Sequence, residues 1–168
     1  MKNLSLIGMP GSGKSTVGVL LAKAIAFDFL DTDLLIQRNE GKHLQDLVDS
    51  LGVQGFLDVE EAAISSLSCH ETVISPGGSV VCREKMITHL KTLGPVIYLH
   101  VPFEELQRRI QNLSTRGIAM EKEQSLAEVL QERAPLYDKY ADATLTVKTG
   151  QSPEDLVRAL MSLLRAYH

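Results

Sequence analysis

The sequence predicts an α/β fold built on a parallel sheet, and three observations carry the prediction. Short apolar runs, LSLI, FDFL, TVIS, PVIYLHV and ATLTV, recur along the chain. Between them lie longer stretches whose apolar residues return at helical spacing, as at Val17, Leu20, Leu21 and Ala24, and such alternation reads as βαβ units. A glycine-rich loop, GMPGSGKS, falls between the first apolar run and the first helical stretch, the strand-to-helix setting in which backbone N–H groups gather around phosphate.

Bulk properties narrow the function. With 168 residues, 44% hydrophobic and 23% charged, the chain is expected to form one domain over residues 1–168 with a sizeable core. A net charge of −4 argues against a nucleic-acid partner, which needs a basic stripe. Two cysteines, Cys69 and Cys82, make no Cys-x-x-Cys pair, so neither a disulfide framework nor a structural zinc site is indicated. Cys82 reads as a small packing residue. No apolar run approaches the roughly 18 residues of a membrane span. A cytoplasmic monomer acting on a small molecule is the expectation.

The elements follow in order. After the first strand, Gly8, Gly13, Lys14 and Ser15 satisfy G-x-x-x-x-G-K-[ST]. Gly11, Ser12, Gly13 and Thr16 complete a phosphate cradle in which Lys14 reaches the outer phosphates and Ser15 ligates Mg2+. The second strand ends in LDTDLL. There Asp31 and Asp33 suit a metal group and a base for an attacking hydroxyl, or else a helix cap at Asp33. Residues 110–124 are polar and without sustained period, which marks a lid candidate. A helix is expected from Ser125 to Tyr140, with Leu126, Leu130 and Tyr137 on one stripe and Arg133 on that same stripe. Arg133 either snorkels to water or meets an anion, and Pro135 should kink or restart the helix. Ser152, Pro153, Glu154 and Asp155 announce a last, amphipathic helix.

Taken together, GMPGSGKSTVG, DTD, the glycine pair of SPGGSVV, an arginine in the lid segment and ERAPLYDKYAD resemble the shikimate kinase family over nearly the whole chain. The resemblance implies a three-layer α/β/α P-loop kinase fold with a five-stranded parallel sheet and a mobile lid. It also implies transfer of the γ-phosphate of ATP, with Mg2+, to a hydroxyl of shikimate, within aromatic amino acid biosynthesis. Carried over by position, Lys14, Asp33 and Arg116 would be catalytic, with Asp33 on the acceptor hydroxyl and Arg116 in the lid. Ser15 and Asp31 would serve the metal. Arg109 would lie against the adenine with Pro153 on its other side, and Gly77, Gly78 and Arg133 would face the substrate, Arg133 on its carboxylate.

The departures concern the acceptor. The family's Gly-Glu-x-x-Phe-Arg-x-x-Glu reads GVQGFLDVE here, so Val53 and Leu57 stand where the resemblance expects glutamate and a second carboxylate-binding arginine, while Phe56 and Glu60 stay in register. Three glycines become Pro76, Gly77 and Gly78. A leucine at the substrate edge favours, as an alternative, a kinase of the same fold for another small hydroxyl compound, such as a hydroxy amino acid or sugar acid. A catalytically silent nucleotide-binding domain is the remaining alternative.

Overall fold

A computed structural model describes residues 3–110 and 117–166. Five strands form one sheet in the order β2-β3-β1-β4-β5: β1 (Asn3–Ile7), β2 (Asp28–Asp31), β3 (Thr72–Ser75), β4 (Val96–His100) and β5 (Ala143–Thr146). All neighbouring pairs are parallel. Every residue of β1 and β3 is buried, whereas the outer strands β2 and β5 are partly exposed. Central strands of a parallel sheet are covered on both faces and therefore read as unbroken apolar runs.

The helices are α1 (Lys14–Ile25), α2 (Thr32–Glu40), α3 (Leu44–Ser65), α4 (Glu84–Leu93), α5 (Phe103–Arg109), α6 (Leu126–Tyr140) and α7 (Pro153–Arg165), with a 3-10 turn at Gly78–Cys82. Helix α3 is broken at Gly52, whose φ is 70°. From β1 the chain crosses leftward to β2, and every later crossover runs rightward. Parallel crossovers are right-handed, so the first and the later connections cover opposite faces and give three layers. Helices α1 and α7 pack together. Because the direction reverses between β1 and β3, the loops leaving those strands splay apart and open a crevice at the carboxyl edge.

The main core joins Leu4, Leu6 and Ile7 of β1 to Val17 and Leu21 of α1, Ile97 and Leu99 of β4, and Leu156 and Leu160 of α7. A smaller cluster holds Ile36, Leu44, Leu47, Val48, Phe56, Ala63 and Ala119. Among the described residues no helix is long and apolar enough to cross a membrane.

Several expectations meet particular outcomes. Helix α6 starts at a Ser125 cap with a reciprocal Glu128 bond, and α7 starts at Ser152 with Asp155 and Pro153 in the first turn. The stripe on α6 is Leu126, Val129, Arg133 and Tyr137, with Leu130 only partly buried. Helix α6 runs on through Pro135 without a restart. Both Pro135 and Gln131, whose carbonyl loses its partner, are exposed, where water can reach the freed group. Cys82 is exposed rather than packed, because it closes the 3-10 turn at the surface.

Candidate functional site

The crevice is a cleft of about 380 Å³ lined by the loop after β1, the two aspartates after β2, the turn after β3, and residues 117–119 facing α6. Stretches far apart in the sequence thus converge on one space, with Phe56 of α3, Arg109 of α5 and Arg133 of α6 completing its lining.

Its floor is the glycine-rich loop. Gly13 has φ 90°, a left-handed conformation that glycine adopts freely, and this turns the chain into α1. No side chain caps α1, leaving its first N–H groups and the positive end of the helix directed at the cleft. Lys14 is 7% exposed, and its Nζ donates to the carbonyls of Gly8 and Met9 at 2.9 Å each. Burial pushes its pKa down to about 8, against the pull of Asp33 and Asp31. Ser12 Oγ lies 3.4 Å from Lys14 Nζ; the residue is wholly buried, behind the loop. Gly11, Gly13, Ser15 and Thr16 line the cleft.

The wall beside Lys14 is acidic. Asp31, the last residue of β2, accepts from the N–H groups of Asp33 and Leu34 and so caps α2; the cap is Asp31, not Asp33. Its other oxygen accepts from Ser15 Oγ at 2.8 Å. Asp33, in the first turn of α2, points into the cleft. Burial first, and the charge of Asp31 second, push its pKa up to about 6. Ser75, at the end of β3, places its Oγ 3.3 Å from Ser15 Oγ. Sequence reasoning missed this third oxygen, whose one signal was its place as the last residue of TVIS.

The turn after β3 closes the wall. A Cβ on Gly78 would meet the Pro10 ring at 2.7 Å, and one on Gly77 would meet Asp33 Oδ1 at 2.8 Å and Glu60 Oε1 at 2.9 Å. The two glycines therefore let backbone approach where any side chain would collide. Ser79, also unnoticed in the sequence, lines the cleft and donates to Glu60 Oε2 at 2.6 Å.

Arg133 stands on the apolar stripe of α6 at 4% exposure and lines the cleft. Its Nη2 donates to the Ala119 carbonyl, while Nε and Nη1 have no partner among the described residues. Arg109 also lines the cleft; its Nη1 donates to the Ser12 carbonyl at 3.2 Å and its Nε to Glu105 Oε1 at 2.8 Å. Arg116 and the rest of segment 111–116 of the expected lid lie outside the described residues. Residues 117–124 form neither helix nor strand, and Gly117, Ile118 and Ala119 are buried.

Two expected site residues fall elsewhere. Leu57 is 4% exposed in the main core and is not among the cleft residues. Phe56 and Glu60, four apart on α3, share the face toward the cleft wall, and position 57 is turned a third of a turn toward the sheet. Pro153 is the first residue of α7 and is likewise outside the cleft.

The donors present fit a magnesium-bound triphosphate. Uncapped helical N–H groups and an ammonium held by neutral oxygens of its own loop suit phosphate oxygens, and Ser15 with Asp31 offers the hard oxygen ligands Mg2+ prefers. Among the described residues no group of three or more His, Cys, Asp or Glu could hold a metal unaided. Such an ion would therefore share phosphate and water oxygens, as Mg2+ commonly does.

A family model described as shikimate kinase matches residues 10–165. The chain belongs to the shikimate kinase family. Among curated relatives, the shikimate kinase of Nostoc punctiforme is 34% identical over 165 residues, covering 96% of this chain and 90% of that one. Among solved structures, a shikimate kinase from Acinetobacter baumannii in complex with shikimate superposes with a TM-score of 0.89 at 30% identity, over 99% and 94% of the two chains. The Aquifex aeolicus shikimate kinase follows at a TM-score of 0.79 and 28% identity, over 98% and 97%. Membership makes this chain an ATP-dependent kinase with an alcohol group as acceptor, and ATP with Mg2+ belongs to the family's chemistry.

Proposed function

We propose that the protein transfers the γ-phosphate of ATP to the 3-hydroxyl of shikimate. The observation that carries the acceptor's chemistry is Arg133, a buried guanidinium that lines the cleft with two N–H groups unpartnered. A buried cation with free donors calls for an anion, and the substrate carboxylate supplies one. Among the described cleft residues it is the one guanidinium without a carboxylate partner, since Arg109 pairs with Glu105.

When bound, MgATP supplies the electrophilic phosphorus and the charge neutralisation that phosphoryl transfer requires. The protein's part is to hold and to move one proton. Lys14 would exchange the Gly8 and Met9 carbonyls for the outer phosphates and Ser15 with Asp31 would hold the metal's oxygen shell, while Gly77 and Gly78 keep the wall thin enough for backbone to approach. Asp33, at a pKa of about 6, is ionised at neutral pH and poised to accept the proton of the acceptor hydroxyl. Arg116 fits the role of a lid cation on the transferring phosphate.

Leu57 favours the second reading. With position 57 in the core, carboxylate recognition rests on Arg133, and a second charge-assisted bond worth about 1.5 to 3 kcal/mol is absent. ADP release with Mg2+ and ATP, measured with shikimate and with a panel of hydroxy amino acids and sugar acids, separates the two. Saturable stimulation by shikimate, with a 3-phosphate product identified by NMR, is expected. Stimulation by another acceptor with shikimate inert would replace shikimate as the substrate.

A further inference from the structure

Among the described residues Glu60 is the one wholly buried carboxylate, at 0% exposure. One oxygen holds the Ser79 hydroxyl at 2.6 Å; the other has no partner among the described residues. That free oxygen lies against Gly77, which it shares with Asp33 Oδ1. Among the described residues no cation bonds Glu60. Lys14 of α1 is on its own loop, Arg133 of α6 bonds Ala119 and keeps its other donors toward the cleft, and Arg83, beyond the 3-10 turn, is on Asp58 at 2.6 Å and Glu61 at 3.6 Å. Asp33 of α2 and Cys82 of the turn add no positive charge. Leu57, three residues earlier on the same helix, is apolar.

We propose that Glu60 is a positioning residue for the acceptor: from behind the wall its carboxyl grips Ser79 and holds Gly77–Ser79 against the reacting hydroxyl, and its ionisation weakens acceptor binding. The inference rests on the reading that the cleft binds an anionic hydroxyl compound. Ser79 lines the cleft and Glu60 does not, so Glu60 acts through Ser79. The neutral acid is the resting form up to pH of about 7, chiefly because burial penalises its charge, with Asp33 adding to the effect and the Ser79 bond opposing it. Above that pH an unpaired negative charge stands behind the wall that the acceptor's carboxylate approaches, and a few ångströms of protein screen it weakly.

The test uses the full chain, with acceptor KM, ATP KM and kcat measured from pH 5.5 to 9 for wild type, Ser79→Ala, Glu60→Gln and Glu60→Ala. Ser79→Ala is expected to raise acceptor KM roughly five- to thirtyfold while ATP KM moves less than about twofold. Wild-type acceptor KM should rise roughly three- to tenfold from pH 6 to 8.5. Glu60→Gln, whose amide still accepts from Ser79 but does not titrate, should lack that rise and bind acceptor more tightly than Glu60→Ala. Equal pH dependence in wild type and Glu60→Gln, or an unchanged acceptor KM in Ser79→Ala, overturns the inference. Carbon-13 NMR of glutamate-labelled protein gives a readout independent of turnover. A carboxyl resonance that vanishes in Glu60→Gln should titrate near 7, and one titrating in the ordinary carboxylate range overturns the proposal. Wild type inert toward shikimate would instead strike the substrate reading, while the NMR result still decides the role of Glu60.

Discussion

Lys14 is held by opposing forces whose balance predicts how a variant behaves. Its ammonium is buried, which lowers its pKa from 10.5 to about 8 although Asp33 and Asp31 attract it. Between those two values the folded chain binds fewer protons than the unfolded one. Stability therefore rises with pH across that window, and the penalty is fully present below about 8. Lys14→Met removes the charge and keeps the bulk. Its thermal midpoint at pH 7 is expected to be no lower than wild type, with an advantage of about 1 to 3 kcal/mol that fades toward pH 10.5. Acceptor-stimulated turnover should meanwhile drop at least a hundredfold. Calorimetry across pH 6 to 10.5 with a coupled ADP assay measures both; retained turnover would mean that the loop is not the phosphate site. The convergence of Lys14, Ser15, Asp31 and Asp33 on one cleft was legible in the sequence because each sits in a local motif that fixes its surroundings. Glu60 and Ser79 were not legible as a pair, since nineteen residues separate them and only the turn after β3 brings them together. The burial of Leu57 in the main core was not legible for a related reason: a resemblance gives a position, whereas helix phase decides which face that position presents.

Helix α6 carries Arg133 into the cleft, and its boundaries come from signals within the helix itself. Ser125 accepts from the Glu128 N–H at 3.2 Å while Glu128 Oε2 accepts from the Ser125 N–H at 2.8 Å, a reciprocal cap that the sequence announces with a serine three residues before a glutamate. Ser125→Ala is expected to cost about 1 kcal/mol and to lower the thermal midpoint by about 2 to 4 °C. Arg133 lies two turns farther on and is tied to Ala119 by its own guanidinium, so acceptor KM should stay within about twofold of wild type, since end effects fade beyond the first turn. A tenfold rise in KM would show that the cap sets the position of the arginine. The stripe was readable to within one residue, with Val129 facing inward in place of Leu130, because helical period predicts a face better than its centre. The restart expected at Pro135 does not occur because local propensity ignores exposure, and here both Pro135 and Gln131 lie at the surface.

At the scale of the molecule, the sheet and its flanking helices form the large core, which also takes Leu57 and Ile64 of α3, while α2 and the first half of α3 gather around a small one. That second cluster holds seven buried residues, and the chain around it passes through Gly41 and Gly52 in left-handed conformations. The strands were visible in the sequence because buried parallel strands are unbroken apolar runs. Division of the core was not visible, because apolar residues on α2 and α3 look alike whichever neighbour they meet. The division matters for function because Phe56 and Ala119 belong to the small cluster and also line the cleft, opposite the loop that the large core supports. A unit with fewer buried contacts opens at lower free energy than the sheet, and a ligand that touches it raises that cost by mass action. Hydrogen exchange followed by mass spectrometry should therefore find the amides of α2 and the first half of α3 exchanging faster than those of β1, β3 and β4. Shikimate at about 100 times its dissociation constant should slow the small cluster by roughly a hundredfold where exchange runs through its local opening, and leave the strands, which open only globally, less affected in proportion. MgATP alone should protect the loop and α1 without protecting α3. Equal exchange in the two regions, or protection of α3 by nucleotide alone, would mean that the molecule opens as one unit and that the acceptor half has no motion of its own.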